Sequence, residues 1–350
     1  MPLSEEKIIQ KYFSPLSEGD KAACGLNDDT ALLSAAPGNA QRLITTDMAI
    51  AGVHFFENDQ PGDIARKVLG VNVSDIVASG GRPEYYLLSI ALNDQTDESW
   101  VCAFADGLLS AQKTFGLRLI GGDTTRGRGP LTISITALGT VAAKHHTTRA
   151  GAKPGDEVFV SGTIGDSFLG CALLGEMNRQ HAASGSGASA GASLLRTKWA
   201  VTDEDFDFLT MRYLHPQPRT ELIDIIGLFA SAAMDVSDGL MLDFSRLAKA
   251  SKCGGDLEVA SVPLSAAARR ITAADHQVLE KLLTGGDDYE LLFTVPSGQI
   301  KSFYGAIKSI KCPVSHIGTC TDKSGACNWR LACGDDFRAK RAGYDHFSPK

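Results

Sequence analysis

The chain has 350 residues, 43% hydrophobic and 21% charged, with a formal net charge of −7. That is an ordinary balance for a globular protein, with room for two domains of about 100–200 residues each. The acidic balance argues against a nucleic acid or an anionic membrane as partner, and no apolar run reaches the roughly 20 residues that cross a bilayer. The first thirteen residues, MPLSEEKIIQKYF, lack a basic stretch leading into an apolar one. No secretory signal is expected, and the cytoplasm is the expected compartment.

The opening residues read as a short amphipathic helix. Apolar runs at 42–46, 85–92, 117–120 and 131–141 predict strands. Residues 63–79 and 97–115 carry apolar side chains at near-helical spacing. Strands alternating with helices predict an α/β (α+β) domain over residues 1–148. The turn-forming run Gly151-Ala152-Lys153-Pro154-Gly155-Asp156 opens a second α/β domain, residues 149–350. It leads into a strand over 157–161, a glycine turn over 162–166 and a helix. A strand and helix follow within 232–250, then strands near 257–259 and 290–295. The stretch HAASGSGASAGAS, residues 181–193, has no apolar period and reads as a flexible surface loop.

The eight cysteines are Cys24, Cys102, Cys171, Cys253, Cys312, Cys320, Cys327 and Cys333. No CxxC pair occurs and no Cys/His spacing suits zinc. Free thiols are expected in a reducing compartment, although four of the eight lie close together near the end of the chain.

The informative feature is a series of aspartates at predicted element ends. Asp28-Asp29 precedes Ala31-Leu32-Leu33. Thr45-Thr46-Asp47 ends a predicted strand. Asn72-Val73-Ser74-Asp75 lies in a helical pattern. Gly121-Gly122-Asp123 follows the strand predicted over 117–120. Asp235-Val236-Ser237-Asp238-Gly239 and Gly285-Gly286-Asp287-Asp288 flank further apolar runs. One such aspartate is usually a turn former or a helix cap. A whole series suits magnesium, a hard cation that takes one or two carboxylates per ion together with water and substrate phosphates. Glycines beside the aspartates let backbone amides approach phosphate oxygens. The GxxxxGK[ST] phosphate loop, the protein-kinase HRD and DFG motifs and the GxSxG elbow are all absent.

In order, the segments DDTALL (28–33), TTDMAIAGVHF (45–55), NVSDIVASGGRP (72–83), GGDTTRG (121–127), RAGAKPGD (149–156), MDVSDGL (234–240), GGDDYEL (285–291) and GYDHF (343–347) resemble the thiamine-monophosphate kinase family. That family belongs to a superfamily with aminoimidazole ribonucleotide synthetase. The resemblance implies a two-domain fold of that type, with N-terminal domains forming a shared β-barrel in a homodimer. It implies ATP as co-substrate, Mg2+ as cofactor and thiamine monophosphate as acceptor. Asp29, Thr45, Thr46, Asp47, Asp75, Asp123, Asp235 and Asp238 then match magnesium ligands or their supports, with Asp47, Asp75 and Asp238 carrying the catalysis. Gly122, Asp123, Arg149 and Ser237 match ATP contacts. His54, Asp287 and Tyr344 match contacts to thiamine monophosphate.

Two positions depart from the family pattern: Asn27 stands where glycine is usual, and Asp287 where glutamate is usual. The rivals are a selenophosphate synthetase, which needs a reactive cysteine and a lysine in a glycine-rich setting that Cys24 lacks, and the hydrogenase-maturation relative, which ends in a functional cysteine where this chain has Ser348-Pro349-Lys350. A third is a non-catalytic nucleotide sensor, against which the intact acidic series speaks. The residues and the resemblance together lead to an expected phosphoryl transfer made directly from ATP to the acceptor phosphate.

Overall fold

The computed structural model describes residues 5–26, 35–184 and 194–344. Asp28, Asp29, Asp345, His346 and Phe347 lie outside the described residues. The chain divides into two compact units, one of residues 1–77 and 81–146, the other of residues 78–80 and 147–350.

The first unit runs α1 (Glu5–Ile8), β1 (Ala40–Ile50), α2 (Pro61–Ala78), β2 (Arg82–Leu92), α3 (Glu98–Phe115), β3 (Arg118–Arg126) and β4 (Thr132–Ala142). Local chemistry sets the helix ends. Pro61 opens α2, where a missing N–H loses nothing. Asp97 caps α3 by accepting from the Trp100 amide at 2.8 Å, and Gly116 closes it at φ 79°. The two helices approach closely where glycines meet, since a Cβ on Gly107 would stand 2.6 Å from Gly62 Cα.

The four strands form one sheet in the order β1-β4-β2-β3, with β4 antiparallel to β1 and β2, and β2 parallel to β3. The sheet is open among the described residues, with β1 and β3 at its edges. One face is core: Tyr86, Leu88, Ile90, Ile133 and Ile135 are buried, as are Leu69 and Ile76 of α2 and Phe104 and Leu108 of α3. On the other face, Ile44 and Met48 of β1 are 67% and 56% exposed.

Two expectations about strand ends need correction. Thr45-Thr46-Asp47 lies inside β1, whose pairing runs unbroken from Ala40↔Ala142 to Ile50↔Thr132. Gly121-Gly122-Asp123 lies inside β3, paired with Leu87–Ser89. Ladder hydrogen bonds come from the backbone, so an edge strand continues through polar side chains that need no burial.

The second unit runs β5 (Glu157–Ser161), α4 (Asp166–Ser184), α5 (Leu194–Lys198), α6 (Asp203–Leu214), α7 (Ile223–Phe229), β6 (Ala232–Asp235), α8 (Leu240–Ser251), β7 (Gly254–Glu258), α9 (Ala266–Ala274), α10 (Val278–Thr284), β8 (Leu291–Val295), α11 (Ile300–Ile307), β9 (Val314–Thr321) and β10 (Cys327–Arg330). Its sheet has the order β10-β7-β9-β5-β8-β6. Central β5 buries both faces. Val158 and Val160 join the cluster of Phe244 and Leu247 on α8, while Phe159 meets Phe293 at 5.7 Å and Phe303 at 4.7 Å between ring centroids.

Helix α4 continues through Ser184 and takes up the first four residues of the stretch read as a loop, in keeping with the helix propensity of its alanines. Residues 185–193 lie outside the described residues. The seven cysteines whose side chains are described are free thiols. No described helix is long and apolar enough to cross a membrane.

Candidate active site

In the first unit, β1 and α2 bring three predicted residues together. Thr45 Oγ1 donates to Asp75 Oδ2 at 2.6 Å. Asp47 follows two residues along the strand, on the same face. Asn72, one helical turn before Asp75, accepts from the edge amide of Asp47 at 3.1 Å and donates to the Val68 carbonyl at 2.9 Å. At 1% exposure Asn72 ties helix to strand and sets the spacing of Asp47 and Asp75. Asp47 is open to solvent on one side, yet burial first and the Asp75 charge second push its carboxyl up to about 6. Two carboxylates this close disfavour each other's ionised form, and a cation would relieve that. Two carboxylates with a hydroxyl fit magnesium, which completes its shell with water and phosphate oxygens. No three His, Cys, Asp or Glu residues among those described form a closed metal cage. Asp29, the remaining N-terminal candidate, lies outside the described residues.

Other predicted residues of this unit sit elsewhere. The Thr46 hydroxyl donates to the Ile135 carbonyl and shares a hydrogen bond with Thr136 Oγ1, both at 3.1 Å, and so lies toward β4. Asp47 pairs with Ile135, Ile135 with Leu88, and Leu88 with Gly122. Gly122 therefore stands three strand spacings from Asp47, about 14 Å along the sheet. Asp123 is in the next row, with Ser89, Ser134 and Met48, on the face away from the buried core. Asp47 and Asp123 thus occupy opposite edges and opposite faces of the sheet in one chain. His54 closes the turn after β1: its Nδ1 accepts from the Ile50 amide at 3.1 Å, so the neutral ring carries its proton on Nε2.

In the second unit, three motifs distant in sequence converge through backbone hydrogen bonds. Asp287 N donates to the Ser237 carbonyl at 2.7 Å, Tyr289 N to the Val236 carbonyl at 2.9 Å, and Val236 N to the Glu290 carbonyl at 2.8 Å. Tyr344 N donates to the Asp238 carbonyl at 2.8 Å. Gly286, at φ 71°, admits this approach, since a Cβ there would stand 2.4 Å from the Ser237 carbonyl oxygen. Asp235, Ser237, Asp238, Asp287 and Tyr344 are thereby gathered in one place.

Two residues outside the predicted set, Asp243 and Arg246, hold this loop. Asp243 Oδ2 accepts from the amides of Ser237 and Asp238, both at 3.0 Å. Burial pushes the Asp243 carboxyl up to about 6. Arg246 Nη1 forks between Asp238 Oδ2 and Asp243 Oδ1, at 2.5 and 2.8 Å. The Asp243/Arg246 spacing on α8 is an i,i+3 helix pair that could have been found. Arg149 is not part of this gathering. Its carbonyl accepts from Ser251 Oγ at 3.0 Å, at the last residue of α8, whereas Asp238 precedes the first. The length of α8, about 16 Å, separates the two points.

The first unit, an open mixed sheet backed by two helices with an aspartate pair under its edge, has the class of the AIR-synthase-related proteins, as comparison with known proteins shows. A model of the family "AIR synthase related protein, N-terminal domain" matches residues 27–141. The chain is 37% identical over 351 residues to the thiamine-monophosphate kinase of Escherichia coli (strain K12), covering 99% of each. The solved thiamine-monophosphate kinase from Stenotrophomonas maltophilia K279a is 34% identical, with TM-score 0.77, over 96% of this chain and 98% of that one. A solved structure of AaThiL complexed with AMPPCP and TMP is 29% identical, with TM-score 0.72, over 91% of each chain. The chain belongs to the thiamine-monophosphate kinase family, whose members are phosphotransferase enzymes.

Proposed function

We propose that this protein transfers the γ-phosphoryl group of ATP to thiamine monophosphate, forming thiamine diphosphate and ADP in the cytoplasm. Family membership supports the reaction, and the Thr45–Asp75 contact beside Asp47 is the observation that carries the magnesium-dependent mechanism. Asp47 and Asp75, with Thr45, would hold Mg2+ in the first unit. Asp29, Thr46, Asp123, Asp235 and Asp238 are the further ligands and supports. Bound magnesium supplies charge neutralisation between two phosphate anions, which lets nucleophile and electrophile approach.

The chain's own residues supply position. Gly122, Asp123, Arg149 and Ser237 bind ATP, and His54, Asp287 and Tyr344 hold the acceptor. Thiamine monophosphate presents a phosphate oxygen that is already ionised near neutral pH, so no strong general base is needed. That oxygen is itself a competent nucleophile once its charge is offset, so a relay through the enzyme would gain little and transfer is direct, without a phosphoenzyme.

Turnover with thiamine monophosphate and with thiamine, each with ATP and Mg2+, tests the reading. The monophosphate is expected to be the good acceptor and thiamine a poor one. Equal or better use of thiamine would sink the assignment. Inversion at a chiral, isotopically labelled γ-phosphorus checks the direct route, and retention would rule it out.

The protein is further proposed to work as a homodimer in which two N-terminal sheets close into a shared β-barrel. Support comes from the open edges β1 and β3 and from the exposed Ile44 and Met48 on β1. Ile44→Lys is expected to turn a sedimenting dimer into a monomer. An unchanged dimer would exclude this face as the interface.

A further inference from the structure

The segment after Gly286 has an unusual backbone. Asp287 and Tyr289 stand at φ 66° and 52°, in the left-handed region that favours glycine. Non-glycine residues persist there only where the surroundings over-determine them. Between them, Asp288 is 1% exposed, and both its oxygens face the Gly165 amide, at 3.0 and 2.9 Å. After them comes Glu290, fully buried.

Glu290 is the centre of a buried ionic knot. Oε1 accepts from Arg212 Nη2 at 2.7 Å and from Arg219 Nη2. Oε2 accepts from Arg219 Nε at 2.7 Å and from Ser161 Oγ at 2.6 Å. Ser161 Oγ in turn accepts from the Leu291 amide at 2.8 Å. Gly162, at φ 57°, leaves the space, because a Cβ there would stand 2.1 Å from Glu290 Oε1.

A buried ionic knot of this kind is weak evidence for stability. Arg212 is 5% exposed, and its Nε and Nη1 are buried without a hydrogen-bond partner. A buried ion pair with unsatisfied donors is often matched or bettered by apolar packing, so stability does not account for it. What it does hold is the turn. The Glu290 carbonyl accepts from Val236 N, and the strained residues just before it are hydrogen-bonded to Val236 and Ser237.

We propose that Glu290, clamped by Arg212, Arg219 and Ser161, is a positioning residue that locks the Asp287–Tyr289 turn and so aims Asp287 at the acceptor. The inference rests on the reading of Asp287 as an acceptor contact. Asp287 has a short side chain with two rotatable bonds, so its reach depends on where the backbone is held.

The test compares full-length wild type with Arg219→Lys and Glu290→Gln. Arg219→Lys keeps a cation but loses the fork. It is expected to raise KM for thiamine monophosphate about tenfold while KM for ATP and kcat stay within about threefold. Amide hydrogen exchange at Asp287 and Tyr289 should quicken by about tenfold or more. Glu290→Gln should do the same more strongly, and if it does not fold, Arg219→Lys decides. Unchanged exchange at the two amides, or parallel shifts in both KM values, would overturn the inference and leave the knot a purely structural one. A wild type that ignores thiamine monophosphate would refute the functional reading instead. In that case, the exchange result alone decides whether the knot holds the turn.

Discussion

Asp47→Asn and Asp75→Asn are each expected to lower turnover about 100-fold or more, the scale of several kcal/mol of lost transition-state stabilisation, while the chain stays folded. Activity and stability should move apart. Burial and the Asp75 charge disfavour the ionised form of Asp47, whose carboxyl is pushed up to about 6. Its neutral substitute therefore removes a folded-state repulsion, and without metal the melting temperature of Asp47→Asn should equal or exceed that of wild type. Adding Mg2+ should raise the wild-type melting temperature by mass action and raise that of the variant less. In Asp75→Asn the amide can still meet Thr45 Oγ1, so the contact at 2.6 Å is kept in outline while the charge is lost. Near-normal turnover in both variants at ordinary magnesium levels would make these carboxylates structural.

Gly122→Ala should act on the fold as well as on the site. Gly122 stands at φ 155°, and a Cβ there would lie 1.8 Å from the Leu88 carbonyl oxygen. That atom is backbone, held in the Leu88↔Gly122 pairing of β2 and β3. No rotamer change relieves the clash, so the β2–β3 ladder must open locally. Left-handed strain and overpacking together give an expected loss of about 3 kcal/mol or more. A fall in melting temperature on the order of 10 °C should accompany it. A denaturant midpoint within error of wild type would mean that β3 accommodates a side chain there, against the observed approach.

The acidic series stood out in the sequence because so many aspartates beside glycine, serine or threonine exceed what turns and helix caps ordinarily require. The sequence joined Asp75 with Thr45 and Asp47 only through the family resemblance, because helix and strand periods do not say which helix packs on which strand; the Thr45–Asp75 contact comes from the fold. Strand length was harder to read. Asp47 and Asp123 sit inside β1 and β3, because an edge strand tolerates polar residues that a hydrophobic pattern treats as an ending. β9 and β10, with sequences VSHIGTCT and CNWR, carry too weak an alternation to stand out.

The Glu290 knot could not be read locally. Arg212 and Arg219 lie 78 and 71 residues from Glu290 in the chain, and only the fold brings them together. The same holds for Arg149, whose motif matches the family while its backbone is tied to the far end of α8 from Asp238.

Tracing the phosphoryl group with labelled nucleotide tests the central claim most directly. Purified protein would be incubated with Mg2+, thiamine monophosphate and ATP labelled in its γ-phosphate, and the products resolved by phosphorus NMR or chromatography. The account predicts that the label appears in the terminal phosphate of thiamine diphosphate, in step with ADP. Label recovered only as inorganic phosphate, or retained in ATP while thiamine monophosphate persists, would contradict it.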